Sequence, residues 1–436
     1  MNPFMTGRTL VVLAVAVFAG APAAAQLAPS RTITLEEAID MALRNSPLMA
    51  QRAGAVDQAE SAERTALGDF LPSLSFSSGA SLSSTERFDS NTGVVVSGSS
   101  DSYNARLSSS LMLFDAGRRF AARSQTRAQT AQAAADLIEQ QFAVTLTAKQ
   151  SFFDVIRLGE NIRVVDANLA RAEQTLAAAK QRFAVGSATT SDTLRGRLEV
   201  NQARQAVLQV ESQRRSAMYS LGALVGIDGP VAADTATPTQ PQPLLTSDEE
   251  LIQLAITASP AVRTAELGVD ANDAATRVSR AQWWPTLNAS GGLTWSNQTA
   301  SFSGGRRSWN TGLSLSYPLF NGFSREDANA RANINLRVSQ VQYEDARRQA
   351  RANAQRAIDA VRLAEQQIAL AREAVAVAEE DLRVQQVRYE LNASTTLDQI
   401  ASRAALVQSE LDLISARYDY LIARAELEAL IGRELQ

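Results

Sequence analysis

Four stretches of the chain alternate apolar or small residues with serine, asparagine or glycine in strict period two. Leu74, Phe76, Ser78, Ala80 and Leu82 oppose Ser73, Ser75, Ser77, Gly79 and Ser81, and Tyr103, Ala105, Leu107 and Leu111 oppose Asn104, Arg106, Ser108 and Ser110. Leu287, Ala289, Leu293 and Trp295 against Asn288, Ser290 and Thr294, then Trp309, Leu313 and Leu315 against Asn310, Ser314 and Ser316, repeat the pattern. This predicts strands at about 72–84, 103–114, 286–297 and 309–320, each with one oily and one polar face. Their lengths suit the ~9–11 residues of a tilted strand crossing a bilayer. Tyr103, Trp295 and Trp309 sit toward one end, and Phe70, Phe114, Trp283, Trp284, Tyr317 and Phe320 toward the other, as two interfacial girdles would. The Gly/Ser-rich stretches Glu86–Asp101 and Gln298–Arg307 read as loops facing the cell exterior.

After each strand pair the period changes. Residues 117–185 and 323–391 hold no proline, and at ~1.5 Å per residue each would make a helix about 100 Å long. Ile162, Val165, Leu169, Ala172, Leu176, Ala179 and Phe183 step by three and four. Ile368, Ala371, Val375, Ala378, Leu382 and Tyr389 keep that register, with Gln385 breaking it once. Such heptad seams predict helices packed side by side as coiled coils. Return helices at about 191–225 and 397–431 would run back along them. Thr34 with Glu37, and Ser247 with Glu250, have capping-box spacing and open short helices that Ser46-Pro47 and Ser259-Pro260 terminate.

The same punctuation therefore occurs twice. Thr34, Ser46, Pro47 and Pro72 recur at an offset of 213 as Ser247, Ser259, Pro260 and Pro285. Phe114, Phe183, Thr189, Thr190, Asp192 and Gly226 recur at 206 as Phe320, Tyr389, Thr395, Thr396, Asp398 and Gly432. Repeats this long are duplicated half-domains rather than solenoid units. The expected organisation is an export signal over 1–25, a first repeat over 26–227, a proline-rich connector over 228–246 and a second repeat over 247–436. Four strands cannot close a barrel in lipid, where open edges leave backbone groups unpaired. Three copies would supply twelve strands, the favoured closure; two copies would supply eight, provided the helices also fit.

Composition narrows the function. Arg8, the apolar run Thr9–Gly20 and Ala23-Ala24-Ala25 read as a cleavable export signal, with the mature chain expected to start at Gln26. The chain has 42 basic and 46 acidic residues and a net charge of −4, which argues against nucleic acid as a partner. Neither Cys nor His occurs, which removes thiol nucleophiles, Cys/His metal sites and imidazole acid–base chemistry. Dinucleotide, P-loop and HExxH motifs are also missing. No enzyme activity, cofactor or metal is expected.

With its doubled order of helix, strand pair, long helix, tip and return helix, the chain resembles the TolC family of outer-membrane ducts over nearly its whole mature length. The carriers are the junctions Leu113-Phe114-Asp115 with Gly117 and Leu319-Phe320-Asn321-Gly322, and the tips 182–192 and 388–398. The resemblance implies a mixed α and β fold: a trimeric 12-stranded outer-membrane β-barrel continuing into a long coiled-coil α-helical periplasmic tunnel, built from two internal repeats per chain. It also implies a passive homotrimer in outer-membrane lipid. A periplasmic adaptor would join it to an inner-membrane pump of ABC or RND type, for type I protein secretion, multidrug efflux or both. A barrel-anchored trimeric stalk or adhesin is the alternative, weakened because the strand pairs lie inside both helical copies.

At the tips, Gly186 and Asn392 suit left-handed C-caps, and Thr190, Ser191 or Thr396 could cap the return helices ahead of Asp192 and Asp398. Under threefold symmetry inward aspartates there would form an anionic ring. The resemblance makes Arg182, Asp192, Arg388, Tyr389 and Asp398 gate candidates, and Gly186, Ser187, Thr189, Thr190, Asn392, Ser394, Thr395 and Thr396 adaptor-docking candidates. The family's basic lock residue falls on Ser394 here and its second gate aspartate on Ala401, so closure is expected to rest on Asp192 with Arg388 or Tyr389. Asp192→Ala or Tyr389→Phe is then expected to raise channel conductance.

Overall fold

The computed structural model describes residues 31–91, 93–235, 244, 246–301, 303–391 and 393–435. The expected export signal, residues 236–243 and 245 of the expected connector, and Asn392 lie outside the described residues. The first half runs β1 (Arg31–Ile33), α1 (Leu35–Asn45), α2 (Pro47–Gly68), β2 (Ser73–Asp89), β3 (Val94–Phe114), α3 (Arg118–Ala184) and α4 (Thr190–Val225). The second runs β4 (Val231–Ala233), α5 (Asp248–Ala258), α6 (Pro260–Ala281), β5 (Thr286–Asn297), β6 (Arg306–Ser316), α7 (Ser324–Glu390) and α8 (Thr396–Ile431). Helices at matching places have equal lengths: 11 residues for α1 and α5, 22 for α2 and α6, 67 for α3 and α7, and 36 for α4 and α8.

The short helices start where their side chains satisfy the free amides. Thr34 accepts from the Glu37 amide while the Glu37 carboxylate accepts from the Thr34 amide. Ser46 ends α1 and caps α2, and Pro47 fills the first helical position, where its missing N–H costs nothing. Ser247 caps α5 in the same way, whereas Ser259 makes no side-chain cap bond and leaves Pro260 alone to set the start of α6.

One antiparallel sheet of order β2-β3-β5-β6 carries the alternating pattern. Along its polar face the hydroxyls of Ser73 and Ser110, Ser75 and Ser108, and Ser83 and Ser100 are hydrogen-bonded across β2 and β3 at 2.8, 2.8 and 2.9 Å. On the other face Leu74, Phe76 and Leu82 are 72%, 71% and 77% exposed, and no helix covers them. Among the described residues β2 and β6 each have a single neighbour, so both outer edges are unpaired there.

Three strands differ from the sequence expectation in their limits. Glu86–Asp101 is not a loop: β2 continues to Asp89 and β3 begins at Val94, in unbroken register. The β-branched Val94 and Val95 pair with Asp89 and Phe88 and extend the ladder past the serine run. This ribbon projects beyond β5 and β6, because Tyr103, well inside β3, is already level with Asn297 at the end of β5. β6 lies three to four residues earlier than expected: Arg306 pairs with Ser296, and the strand stops at Ser316, short of Pro318, which has no N–H to give.

Matched contacts hold the strand ends to the long helices. Arg119 lies over the Phe70 ring at 5.1 Å, and its counterpart Arg325 lies over Trp283 at 4.7 Å. The buried Asp115 accepts from both the Arg119 amide and its Nε, at 3.0 and 3.1 Å. In the strand-flanking half, α2, α3, α6 and α7 lie side by side; in the tip half the order is α4, α3, α8 and α7. The two largest cores sit where these halves meet. One joins Phe152, Phe153 and Ile156 of α3 to Leu221 and Val225 of α4, Tyr418 of α8 and the parallel pair β1–β4. The other joins Ile358 and Val361 of α7 to Leu251 of α5 and Leu427 and Ile431 of α8. Gly226 turns the chain there at φ 76°, against Asn45, which donates to the Val225 carbonyl at 2.7 Å; a Cβ at Gly226 would lie 2.7 Å from the Asn45 Cγ.

Candidate functional site

The tips are formed by the turns from α3 to α4 and from α7 to α8. In the first, Gly186 at φ 76° completes a Schellman motif: the Ser187 amide donates to the Arg182 carbonyl at 2.8 Å and the Gly186 amide to the Phe183 carbonyl at 3.0 Å. In the second, the Ala393 amide donates to the Arg388 carbonyl at 2.7 Å and the Arg388 guanidinium to the Ala393 carbonyl at 3.3 Å.

The return helices start one residue earlier than expected. Their N-caps are Thr189 and Thr395, not Thr190, Ser191 or Thr396, because a capping box needs its carboxylate three residues after the cap. The Asp192 Oδ2 accepts from the Thr189 amide at 3.0 Å and hydroxyl at 2.7 Å. The Asp398 Oδ2 accepts from the Thr395 amide at 2.8 Å and hydroxyl at 2.7 Å, and from the Ser394 hydroxyl at 3.2 Å. These bonds, the Thr189 hydroxyl first for Asp192 and the Thr395 amide first for Asp398, hold both carboxyls below the usual range. Both carboxylates therefore keep their charge to lower pH than a free aspartate does.

Among the described residues, two contacts join the tips within one chain. The Arg182 guanidinium lies over the Tyr389 ring at 4.6 Å. The buried Thr396 hydroxyl donates to the Asp192 Oδ1 at 3.2 Å. Asp192 thus meets Thr396 rather than Arg388 or Tyr389. Arg388 remains on its own turn, and Ser394 bonds Gln385 at 2.9 Å as well as Asp398. Gly186, Ser187, Thr189 and Thr190 are exposed at the end of the first tip, while Ala401 is exposed on α8.

A deeper cross-link was not anticipated. Arg403 of α8, 5% exposed, donates to Glu199 of α4 at 2.5 Å and to Thr175 of α3 at 2.9 Å. Beside it the Ser402 hydroxyl donates to Asp381 of α7 at 2.5 Å. All four tip-half helices are therefore tied together by polar groups. The signal was there in the spacing: Gln399, Ser402 and Arg403 share the i, i+3, i+4, i+7 stripe with the buried Leu406.

A family model described as outer membrane efflux protein matches residues 38–227 and 251–433, covering both halves and skipping the connector. Protein CyaE of Bordetella pertussis is 29% identical over 301 residues, which span 67% of this chain and 61% of CyaE. The pyoverdine export outer membrane protein OpmQ of Pseudomonas aeruginosa is 24% identical over 91% of this chain and 85% of its own length. A solved membrane protein from Pseudomonas aeruginosa shares the fold with a TM-score of 0.80 at 21% identity, over 92% of this chain and 90% of that one.

Proposed function

The chain belongs to the outer membrane efflux protein family, and on that premise we propose that it is the homotrimeric exit duct of a tripartite export system. It is a transport protein of the outer membrane. In the proposed assembly, β2 of each copy pairs with β6 of the next. Closure in threes gives twelve strands, with the apolar face toward lipid and the serine face toward water. The helices continue from the same rim as a periplasmic tunnel, with the tips at its far end.

The observation that carries this reading is the sheet itself. It has one exposed apolar face, one hydroxyl-lined face and two unpaired edges, and α3 and α7 leave it directly. In hydrocarbon each unpaired edge group costs several kcal/mol, so an open four-stranded sheet is untenable there. The matched lengths of the two halves support the duplicated-repeat reading, since they let three chains approach sixfold helical packing.

Energy would come from a pump of ABC or RND type in the inner membrane, and a periplasmic adaptor would join it to the tips. The exposed turn 186–190 and Ser394 are the proposed docking points, and Arg182, Tyr389, Asp192 and Thr396 the proposed gate. Pyoverdine export by OpmQ supports an export role. The test is purified protein in planar bilayers. Discrete conductance steps are expected; an inserted protein that passes no current contradicts the duct.

A further inference from the structure

Level with Ser73 to Thr85 of β2, the polar face of the sheet carries charge of only one sign. From Ser73 to Thr85 of β2, and along the register partners of that face in β3, β5 and β6, there is no Asp or Glu. Two arginines stand there. Arg106 lies between Ser77 and Thr294 in one row, and Arg306 lies beside Ser296 in the next row. Rows on one face are two residues apart, about 7 Å along the strands.

The Arg106 side chain is on this face: its Nε would be 3.9 Å from a Cβ added to Gly292, so the absence of a side chain at Gly292 leaves the guanidinium room. Both arginines are exposed, and neither has a carboxylate within 4.0 Å among the described residues. The acidic Glu86 and Asp101 belong to the opposite face.

We propose that Arg106 and Arg306 form a cationic band in the barrel lumen that binds anionic solutes bearing several phosphate, sulfate or carboxylate groups. The proposal rests on the duct reading. Three copies would bring six guanidinium groups into one band about 7 Å deep, lined otherwise by hydroxyls, amides and glycine. Arginine suits this role because its planar fork stays charged and grips oxyanions bidentately. The tip aspartates cannot cancel the band: a 67-residue helix places them about 100 Å away, some ten Debye lengths at ~0.1 M salt.

The test is current block by inositol hexakisphosphate added from the barrel side of single channels at ~0.1 M salt. Block is expected in the natural chain, is expected to vanish near 1 M salt, where the screening length shrinks to ~3 Å, and is expected to need at least about tenfold more probe in R106S/R306S. R106K/R306K, which keeps the charge, should still be blocked. Serine already fills neighbouring positions on this face, and the single variant R306S gives the same comparison if the double variant does not insert. Equal block of the natural chain and the serine variants, or block by hexaamminecobalt(III) instead, overturns the band while leaving the duct standing. An inserted natural chain that passes no current overturns the duct reading, and the band with it.

Discussion

Removing the two contacts between the tips should loosen the gate by a calculable amount. In R182A/T396V the cation–π contact at 4.6 Å and the hydrogen bond at 3.2 Å are both lost. The first contributes about 0.5–1 kcal/mol for a partly exposed pair. The second contributes about 1 kcal/mol, below the usual range for a charged acceptor because Asp192 remains partly in water. Together they remove about 1.5–2 kcal/mol per copy, a factor of about 10–30 in its open-to-closed ratio. If three copies open together the factors multiply to about a thousand or more. The assay is the open fraction and conductance distribution of single channels in planar bilayers. The ring of Tyr389, not its hydroxyl, faces Arg182, so Y389F should leave this contact nearly intact and Y389A should remove it. That replaces the expectation from sequence that Tyr389→Phe would raise conductance. An R182A/T396V channel with an unchanged open fraction and conductance refutes the gate assignment.

Breaking the deeper pair should cost more. Arg403→Leu leaves Glu199 buried without its partner and should lower stability by about 3–5 kcal/mol, read as faster hydrogen exchange in α4 and α8; R403L/E199L should recover most of it. Thr189→Ala removes a cap and should cost about 1 kcal/mol, visible as fraying of the first turn of α4 by the same measurement. Because the folded-state carboxyls of Asp192 and Asp398 are held below their ordinary value, their contribution is complete above about pH 4 and is lost as pH falls through the depressed value. Open fraction should therefore hold steady from neutral pH to about pH 5 and climb only in stronger acid, and a D192N channel should lack the part of that rise due to Asp192.

The long-period features of the fold were legible because they are redundant along the chain. Helices of 67 residues announce themselves by many heptad positions at once, and the four strands by a face of serine, asparagine, threonine and glycine alternating with an apolar one. Features that depend on a partner distant in sequence were not legible. Val94 to Asp101 has no alternation of its own and became strand only because Asp89 to Leu82 runs alongside it. β1 and β4 are three residues each and exist only as a pair. At the tips, Asp192, Asp398 and the threonines stood out by recurrence, but the pairing of Arg182 with Tyr389 and of Asp192 with Thr396 depends on how two hairpins lie against each other. The role of Arg403 depends on burial of its stripe against α3 and α4, which spacing within α8 does not set.

The central claim is that the unpaired edges β2 and β6 close on each other between three copies, and the absence of native cysteine makes it directly measurable. Cysteine pairs, one on β2 between Ser75 and Ser81 and one on β6 between Ser308 and Ser314, should give oxidised ladders in outer membranes that stop at the mass of three chains. A ladder ending at two or four chains, or no interchain bond for any pair, would contradict the closure and with it the barrel.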